Sequence, residues 1–434
     1  KQDLKQGNSK DSRRNRVIYV ERMQITRPDK FYDLVVVGGG MVGASFCCAL
    51  EQALGETSLS ILVIEAIPPN ANSAKKSSFD ARSTALSFGS RKFFEGIDLW
   101  QTLGDAVSAI HEIQVSDRGR LGCVEINADE QGVEALGYVV ENKRLGQVLN
   151  ARLNESKKIN LLCPALVSSV KATEKGMQLG LTHGDTETII DASLVVLADG
   201  GKSHVCEQLG IARSIERYDQ HALIANIVLE KPHEHIAFER FTDTGPLAVL
   251  PLKSIEGKNR GSLVWTLSVE QAAQYAELEE EELLPLLQER FGYKLGKILE
   301  IGETFVYPLS LSLAKEQVRP GLALLGNVAH TLHPVAGQGL NLALRDARAL
   351  VDVLMSAQQH GLGLGEVNVL LEYVAGQEAD QATTTQFTHN ITKLFSSNNE
   401  AKVWLRKFGL VAIEILPTLR RSLAERAMGL SKSR

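Results

Sequence analysis

Cysteine is scarce in this chain, and a long apolar run is missing altogether. The 434 residues include five cysteines, none with the CxxC spacing typical of zinc sites and redox pairs. Their odd number argues against a disulfide framework, so we expect buried thiols in a reducing compartment. No stretch reaches the roughly 20 apolar residues that cross a bilayer. The five are Cys47, Cys48, Cys123, Cys163 and Cys206.

Positive charge is also in deficit, because Lys and Arg number 47 against 52 for Asp and Glu. The formal net charge of −5 argues against a nucleic-acid partner. A hydrophobic fraction of 44% and a length of 434 residues predict a soluble, cytoplasmic globular protein of two joined domains. Residues 1–30 begin with polar sequence that lacks the apolar core of a secretory signal, so we predict a disordered extension there, with Met23 as an alternative start.

The C-terminal segment 400–434 reverses this charge balance. It carries eight basic and three acidic residues, together with an apolar set around Trp404 and Phe408. A basic segment with an apolar face can lie on the inner face of an anionic membrane as a peripheral contact. A helix packed on its own domain explains the same pattern equally well.

A glycine-rich turn follows the first apolar run, residues 32–37. The run is typical of a strand buried on both faces of a parallel sheet. The next six residues, Gly38 to Gly43, spell GxGxxG. In a dinucleotide-binding turn Gly38 permits the tight bend, Gly40 lets a pyrophosphate approach the backbone, and Gly43 lets the following helix press on the strand. A plain glycine-rich turn is the alternative.

Two further strands end in polar residues. The apolar run 61–64 ends at Glu65, in register for a carboxylate that binds a ribose diol. This completes a βαβ dinucleotide-binding unit. Much later the run 194–198 stops at Asp199 and Gly200, where the backbone can turn sharply beneath a ligand.

A third glycine turn contains Gly326 and Asn327 and leads into a helix predicted to reach about Leu354. A helix N-terminus offers unpaired N–H groups and partial positive charge. Directed at the pyrimidine side of an isoalloxazine ring, these groups would stabilise a reduced flavin, a need that nicotinamide does not share. The residues that open this helix are Gly337, Gln338, Gly339 and Asn341.

The three turns, in this order, resemble the FAD-dependent aromatic hydroxylases of the para-hydroxybenzoate hydroxylase superfamily. The likeness runs from Tyr32 to about Gly429. The segments 79–82 and 325–341 resemble more narrowly the ubiquinone-biosynthesis hydroxylases, and among them the branch that acts on 2-polyprenyl-6-methoxyphenol. Asn327 departs from the superfamily, which has a carboxylate at this position. Because an amide carries no charge, Asn327 is a less certain FAD ligand than that carboxylate.

The resemblance implies roles for individual residues in holding FAD. Glu65 would bind the adenosine ribose, Asp199 the pyrophosphate or ribityl region, and Arg82 the pyrophosphate or flavin edge. Asn142 and Arg144 are weaker candidates. A surface salt bridge is the alternative for both Arg82 and Arg144, and we expect a functional role only for Arg82.

The resemblance also implies an α/β fold in which a Rossmann-like FAD-binding domain with a parallel sheet is interleaved with an antiparallel-sheet substrate domain. A C-terminal helical segment follows. The predicted FAD-binding parts are 31–110, 141–215 and 311–355, the substrate-domain parts are 111–140 and 216–310, and the helical region is 356–434. Alternating apolar and polar residues between 220 and 310 independently indicate antiparallel strands.

The implied activity is monooxygenation of a prenylated phenol in ubiquinone biosynthesis, with NAD(P)H as cosubstrate and O₂ as oxidant. No second GxGxxG occurs, so the nicotinamide would bind transiently. We predict Leu247 and Val249 as pocket walls, although core packing accounts for these two residues equally well, and His333 and Pro334 as catalytic-site residues. His330 and His333 are too few for a metal site, and no metal is predicted.

Three alternatives remain open. A related flavin hydroxylase could act at another ring position of a ubiquinone precursor, because cofactor motifs do not specify a substrate. An NAD-dependent dehydrogenase would explain the first turn but not the other two. A non-catalytic flavoprotein, associated with other ubiquinone-biosynthesis proteins at a membrane, would suit the basic C-terminal segment.

Overall fold

The computed structural model describes residues 31–68, 82–117, 123–334, 337–395 and 428–429. Within these residues the strands, numbered along the chain, are β1 (Phe31–Val37), β2 (Ile61–Ile64), β3 (Ser83–Ser87), β4 (Val107–Ile110), β5 (Glu112–Asp117), β6 (Cys123–Asn127), β7 (Gly137–Glu141), β8 (Ile159–Leu162), β9 (Leu166–Thr173), β10 (Gly176–His183), β11 (Thr186–Leu197), β12 (Arg213–Leu229), β13 (Ile236–Phe241), β14 (Pro246–Ile255), β15 (Lys258–Ser268), β16 (Ile298–Ile301), β17 (Phe305–Ala314), β18 (Val318–Arg319), β19 (Leu322–Leu324) and β20 (His330–Thr331).

The helices in the same described ranges are α1 (Met41–Leu54), α2 (Phe88–Gly96), α3 (Trp100–Leu103), α4 (Ala128–Gln131), α5 (Asn142–Glu155), α6 (His204–Gln208), α7 (Val269–Ala276), α8 (Glu280–Phe291), α9 (Gln338–Gln359) and α10 (Val367–Phe395). Short 3₁₀ helices span Gly104–Ala106 and Gly326–Val328.

The first sheet has a parallel centre in the order β19-β11-β1-β2-β8. Its central strand β1 is apolar at consecutive positions because both faces are covered. Leu34 and Val36 pack into one core cluster, which includes residues of α1, α5 and α9. Val35 and Val37 pack into a second cluster, which includes residues of the β9–β10 hairpin. The predicted buried strand is therefore confirmed.

β11 changes partners along its length. Its first half pairs antiparallel with β10, and its last residues pair in parallel with β1 and β19. The strand thus joins an antiparallel hairpin extension to the parallel centre. Asp199 follows directly after the parallel half.

The second sheet runs in the order β20-β17-β12-β15-β14-β13-β5-β6, and β16 pairs with β12. Its pairings are antiparallel except for the one between β13 and β5, which is parallel. The predicted antiparallel strands between residues 220 and 310 are thereby confirmed. Helices α7 and α8 cover one face, where Leu223, Trp265 and Leu287 share a buried cluster.

The opposite face of the second sheet meets the FAD-binding part of the molecule. On this face Asn226 accepts a hydrogen bond from Ser83 Oγ at 3.2 Å and donates to Glu141 Oε1 at 3.3 Å. Cross-strand pairing places Asn226 beside Ser262, and Ser262 beside Leu250. Since directly paired residues share a face, Leu250 also points toward the first domain.

A three-stranded sheet of β3, β7 and β4 lies at this junction. Strands β5 and β6, from the predicted substrate segment 111–140, do join the second sheet, but β7 pairs with β3 and β4. The predicted domain boundaries stay a prediction. The extension 1–30 and nearly all of the tail 400–434 lie outside the described residues. Among the described residues, no helix is both long and apolar enough to cross a membrane.

Candidate functional site

The three glycine turns meet at one edge of the parallel sheet. Glu65 follows β2, Gly38 follows β1, Asp199 follows β11 and Gly326 follows β19. These four strands are neighbours and run in parallel, so their carboxyl ends lie side by side. The carboxyl edge of such a sheet is the usual ligand site of open α/β folds.

The first turn tolerates only glycine at two positions. Gly38 has φ of +102°, and a Cβ there would lie 2.5 Å from the carbonyl oxygen of Ala198. A Cβ on Gly43 would lie 1.9 Å from the carbonyl oxygen of Gly38. The turn is therefore pressed against the end of β11 on one side and against α1 on the other. Gly40 is the N-cap of α1 and has no side chain to block an approaching ligand.

The carboxylate of Glu65 is fixed beside this turn. Its Oε2 accepts from the Gly39 amide at 2.7 Å, and its Oε1 accepts from the Ile67 amide at 2.8 Å. A carboxylate oxygen can accept more than one hydrogen bond, so both oxygens retain capacity for a ribose diol. The geometry agrees with the predicted ribose role, which stays a prediction.

Asp199 lies across β1 from Glu65. Its Oδ2 accepts from Ser203 Oγ at 2.7 Å, and burial raises the pKa of its carboxyl. The neighbouring Gly200 has φ of +93°, and a Cβ there would meet no atom within 4 Å. The second turn therefore borders open space at the sheet edge.

The third turn is braced by an arginine from the other sheet. Gly326 has φ of +74° and lies against Val42 of α1, and the exposed Asn327 follows it. Arg213 donates to the carbonyl oxygens of Asn327, at 3.2 Å, and of Val328. Sequence reasoning missed Arg213, because it lies more than 100 positions earlier and belongs to no motif.

The helix that follows this turn begins with the predicted glycine. Gly337 adopts the left-handed conformation at the N-cap of α9, which therefore lacks a side-chain cap. Gln338 is buried, whereas a Cβ on Gly339 would meet nothing within 4 Å. The first turn of α9 thus presents backbone N–H groups next to open space. The helix ends at Gln359, five residues beyond the predicted Leu354.

Asn341 makes its hydrogen bonds within the protein. Its Oδ1 accepts from the Ser87 amide at 2.8 Å and from Ser90 Oγ at 2.6 Å. Its Nδ2 donates to the carbonyls of Ala85, at 3.0 Å, and Gly337, at 2.7 Å. These four bonds use the full capacity of the amide. The geometry does not support the predicted direct contact with a cofactor, and Asn341 instead joins α9 to α2 and β3.

The two predicted arginines lie in different surroundings. Arg82 has its guanidinium carbon 4.7 Å from the centroid of the Tyr307 ring, where the two domains meet. Its carbonyl accepts from the amide of the buried Asn142, which holds β3 against the start of α5. Arg144 is exposed and donates to the carbonyl of Thr102 in α3 at 2.9 Å. The surface interpretation of Arg144 therefore fits the structure better. Phe79 to Ala81 lie outside the described residues.

His333 and Pro334 lie in the loop that leads to α9. His333 is 1% exposed, and burial lowers its pKa to about 4, so the ring is neutral near pH 7. Its ring packs edge-on against Tyr218 at 5.5 Å, and the Tyr218 hydroxyl lies 2.9 Å from Nδ1 of His389. The carbonyl of Pro334 accepts from the Gly337 amide at 2.9 Å and so fixes the loop against the helix.

His330 is bonded to a buried carboxylate. Its Nε2 shares a short hydrogen bond with the fully buried Asp346 of α9. The other Asp346 oxygen accepts from Gln381 of α10 at 3.0 Å. In the part of the chain that the structure describes, no three His, Cys, Asp or Glu side chains are grouped as metal ligands.

Leu247 and Val249 lie on the far face of the antiparallel sheet. Both are buried in the cluster with Trp265 beneath α7 and α8. Side chains alternate along a strand, so Ala248 and Leu250 face the first domain instead. The two predicted pocket residues therefore belong to the domain core, and the prediction that they line the pocket is wrong.

Comparison with known proteins decides the family. The sequence profile described as the FAD binding domain matches residues 32–387. The chain belongs to this FAD-binding family. Ubiquinone hydroxylase UbiL of Rhodospirillum rubrum is 35% identical over 405 residues, which cover 93% of this chain and 91% of the relative. The 3-demethoxyubiquinol 3-hydroxylase of Escherichia coli is 32% identical over 402 residues, or 92% and 98% of the two chains.

Solved structures with little sequence identity share the fold. The p-nitrophenol 4-monooxygenase PnpA of Pseudomonas putida superposes with a TM-score of 0.76 at 16% identity, covering 94% of this chain and 100% of that one. The predicted fold class, the FAD cofactor with NAD(P)H as cosubstrate, and the monooxygenase class are confirmed. An NAD-dependent dehydrogenase is not compatible with this family.

The residues at the sheet edge fit FAD. Gly40, the N-cap of α1, has no side chain at a position where one would obstruct a pyrophosphate. The open space at Gly200 and Gly339 lies along the same edge, and Glu65 stands at one end of it. A single elongated cofactor can therefore contact all three turns.

Proposed function

We propose that this enzyme hydroxylates the aromatic ring of a prenylated phenol, of the 2-polyprenyl-6-methoxyphenol type, in ubiquinone biosynthesis. The observation that carries this proposal is the likeness, over more than nine tenths of the chain, to relatives named as a ubiquinone hydroxylase and a demethoxyubiquinol hydroxylase. Hydroxylation at another ring position of a ubiquinone precursor is the second candidate, because only one of the two relatives has a name that states a ring position.

The strand-end residues would hold FAD in a defined direction. Glu65 would bind the adenosine ribose, and Gly40 would face the pyrophosphate. Asp199, with Arg82 as a further candidate, would contact the middle of the cofactor, and the amides that open α9 at Gly339 would face the flavin ring. When bound, FAD supplies hydride acceptance from NAD(P)H and activation of O₂.

The chain itself must position the phenol and exclude water from the flavin. The antiparallel sheet presents Ala248 and Leu250 toward the first domain, which gives an apolar surface suited to an aromatic ring and a prenyl tail. The neutral, buried His333 can accept a hydrogen bond but carries no charge that would attract water. The apolar surface would orient the ring, and the neutral His333 would help to keep water away from the oxygen-transfer step.

The test is turnover by the FAD-loaded enzyme with short-chain 2-prenyl-6-methoxyphenols. We expect the phenol to stimulate NAD(P)H oxidation and to gain one oxygen atom, with the ring position read by NMR of the product. The same phenol without its prenyl group is the control for tail recognition. Hydrogen peroxide release without any hydroxylated product, across this series, would contradict the proposal.

A membrane contact is a separate part of the proposal. The basic and apolar composition of residues 400–434 supports a peripheral position at an anionic membrane, where the prenylated substrate and other ubiquinone-biosynthesis proteins would be found. Liposome flotation with and without these residues tests it. Equal binding of both forms would contradict a membrane contact by this segment.

A further inference from the structure

A carboxylate of the antiparallel sheet faces the FAD-binding domain. Glu239 lies in the middle of β13. Its neighbours in sequence point the other way, since Phe238 packs edge-on against Phe291 at 5.9 Å and Arg240 donates to the Phe291 carbonyl at 2.9 Å. Alternation along the strand therefore directs Glu239 toward the domain junction.

The surroundings of Glu239 on this face are apolar. Cross-strand pairing places it beside Ala248 on β14 and beside Val115 on β5. Ala248 belongs to the same surface as Leu250, which we assign to the phenol. The acidic residue nearest in register on this face is Asp117 of β5, which pairs with Phe241.

Glu239 also lies toward the loop that carries His333 and leads to α9. Beyond Phe241 the chain turns at Thr244, whose carbonyl accepts from Gln220 Nε2 at 2.6 Å. Gln220 follows Tyr218 by two positions, and the Tyr218 ring packs on His333. Glu239 thus lies on the stretch of sheet that runs from the apolar junction toward the loop before α9.

Glu239 makes no hydrogen bond or ion pair with any residue that the structure describes. It is partly accessible, yet burial raises the pKa of its carboxyl to about 7. The other polar groups of this region are poorly suited to take a proton near neutrality. Burial lowers the pKa of His333 to about 4 and raises that of Tyr218 to about 12.

We propose that Glu239 is the catalytic base that accepts the hydroxyl proton of the bound phenol. The inference depends on the proposed function, because it assumes a phenolic substrate on the Ala248 face. In this step the phenol O–H bond breaks, a new O–H bond forms on the Glu239 carboxylate, and the electron pair remains on the phenolate oxygen. The phenolate donates electron density to the ring carbon that receives oxygen.

The test compares wild type with Glu239→Gln and Glu239→Asp in the FAD-loaded enzyme. With 2-farnesyl-6-methoxyphenol as probe, we expect Glu239→Gln to lower kcat/KM for hydroxylation on the order of 100-fold, the lower end of general-base effects. Wild-type kcat/KM should rise through pH 7 as the carboxylate forms, and Glu239→Gln should lose this rise. Glu239→Asp should retain it, and Glu125→Gln, exposed on β6 of the same sheet, should behave as wild type.

A binding measurement separates this proposal from the proposed function. Without NAD(P)H, titration of the flavin absorbance with the probe should give similar Kd values for wild type and Glu239→Gln, because the carboxylate removes the proton during oxygen transfer and is not needed for binding. An unchanged pH rise in Glu239→Gln, or a loss of kcat/KM that weaker binding explains by itself, would overturn the role of Glu239 and leave the proposed function intact. Saturable binding of the probe to wild type without hydroxylation would refute the proposed function, and the role of Glu239 with it. No saturable binding of the probe to wild type would also overturn both.

Discussion

Replacing Glu239 by glutamine should stabilise the protein, and the gain should depend on pH. Burial raises the pKa of this carboxyl from 4.5 to about 7. A raised carboxyl pKa means that the native state holds its proton more tightly than the unfolded state does. Between pH 4.5 and about pH 7 the native state therefore loses stability as pH rises. In this range the carboxyl is already ionised in the unfolded chain but still protonated in the native state.

The magnitude follows from the size of the shift. At pH 8 the ionised carboxylate should cost the native state about 3 kcal/mol, since each pKa unit corresponds to about 1.4 kcal/mol. At pH 5 the cost should be about 1 kcal/mol or less, because the native carboxyl is still protonated. Glutamine has a similar shape and does not ionise, so Glu239→Gln should recover most of this difference.

Thermal unfolding of the FAD-saturated proteins at pH 5 and pH 8 measures the effect. For a chain of this length, about 3 kcal/mol corresponds to a Tm increase of about 3 °C, if unfolding is cooperative. The exposed control Glu125→Gln should change stability by less than about 0.5 kcal/mol at both pH values. If Glu239→Gln gained equally at pH 5 and pH 8, or had a lower Tm than wild type at pH 8, the surroundings of Glu239 would not raise its pKa.

Four other substitutions, in three experiments, test the site and its frame. Gly43→Ala should abolish FAD retention, read from the ratio of absorbance at 450 and 280 nm, because its Cβ would lie 1.9 Å from the Gly38 carbonyl oxygen; a normal flavin content would refute the close approach. Asn341→Ala should lower stability by about 2–3 kcal/mol in denaturant unfolding, because the lost amide leaves buried groups unsatisfied; a change below about 0.5 kcal/mol would indicate that its four bonds are weak. Leu247→Ala should lower stability by about 2–5 kcal/mol without changing KM for the phenol, whereas Ala248→Leu should raise KM; the reverse pattern would place the substrate on the other face.

Local sequence was sufficient for the parts of the site that depend on backbone shape. The turn from Gly38 to Gly43 needs glycine for the left-handed backbone of Gly38 and for the close approach of Gly43 to the Gly38 carbonyl, so its pattern appears in consecutive residues. The contact of Gly38 with Ala198, by contrast, joins distant segments and was not visible in the sequence. Glu65 was predictable for the same reason, since it ends the next strand of that unit. The antiparallel strands between 220 and 310 were visible in their alternation, although the pattern did not show which face was covered by α7 and α8.

The chain by itself thus determined the cofactor, the fold class and the order of the three turns, because glycine, helix caps and apolar runs act on their immediate neighbours. Tertiary structure alone decided which distant groups meet at the sheet edge. Arg213 braces the turn at Asn327, and Asn341 is bonded to Ser87 and Ser90, across separations of more than 100 positions. It also decided that Glu239 has no hydrogen-bond or ion-pair partner among the residues that the structure describes. Burial and pairing of a side chain depend on what other segments place around it, and no local pattern records that.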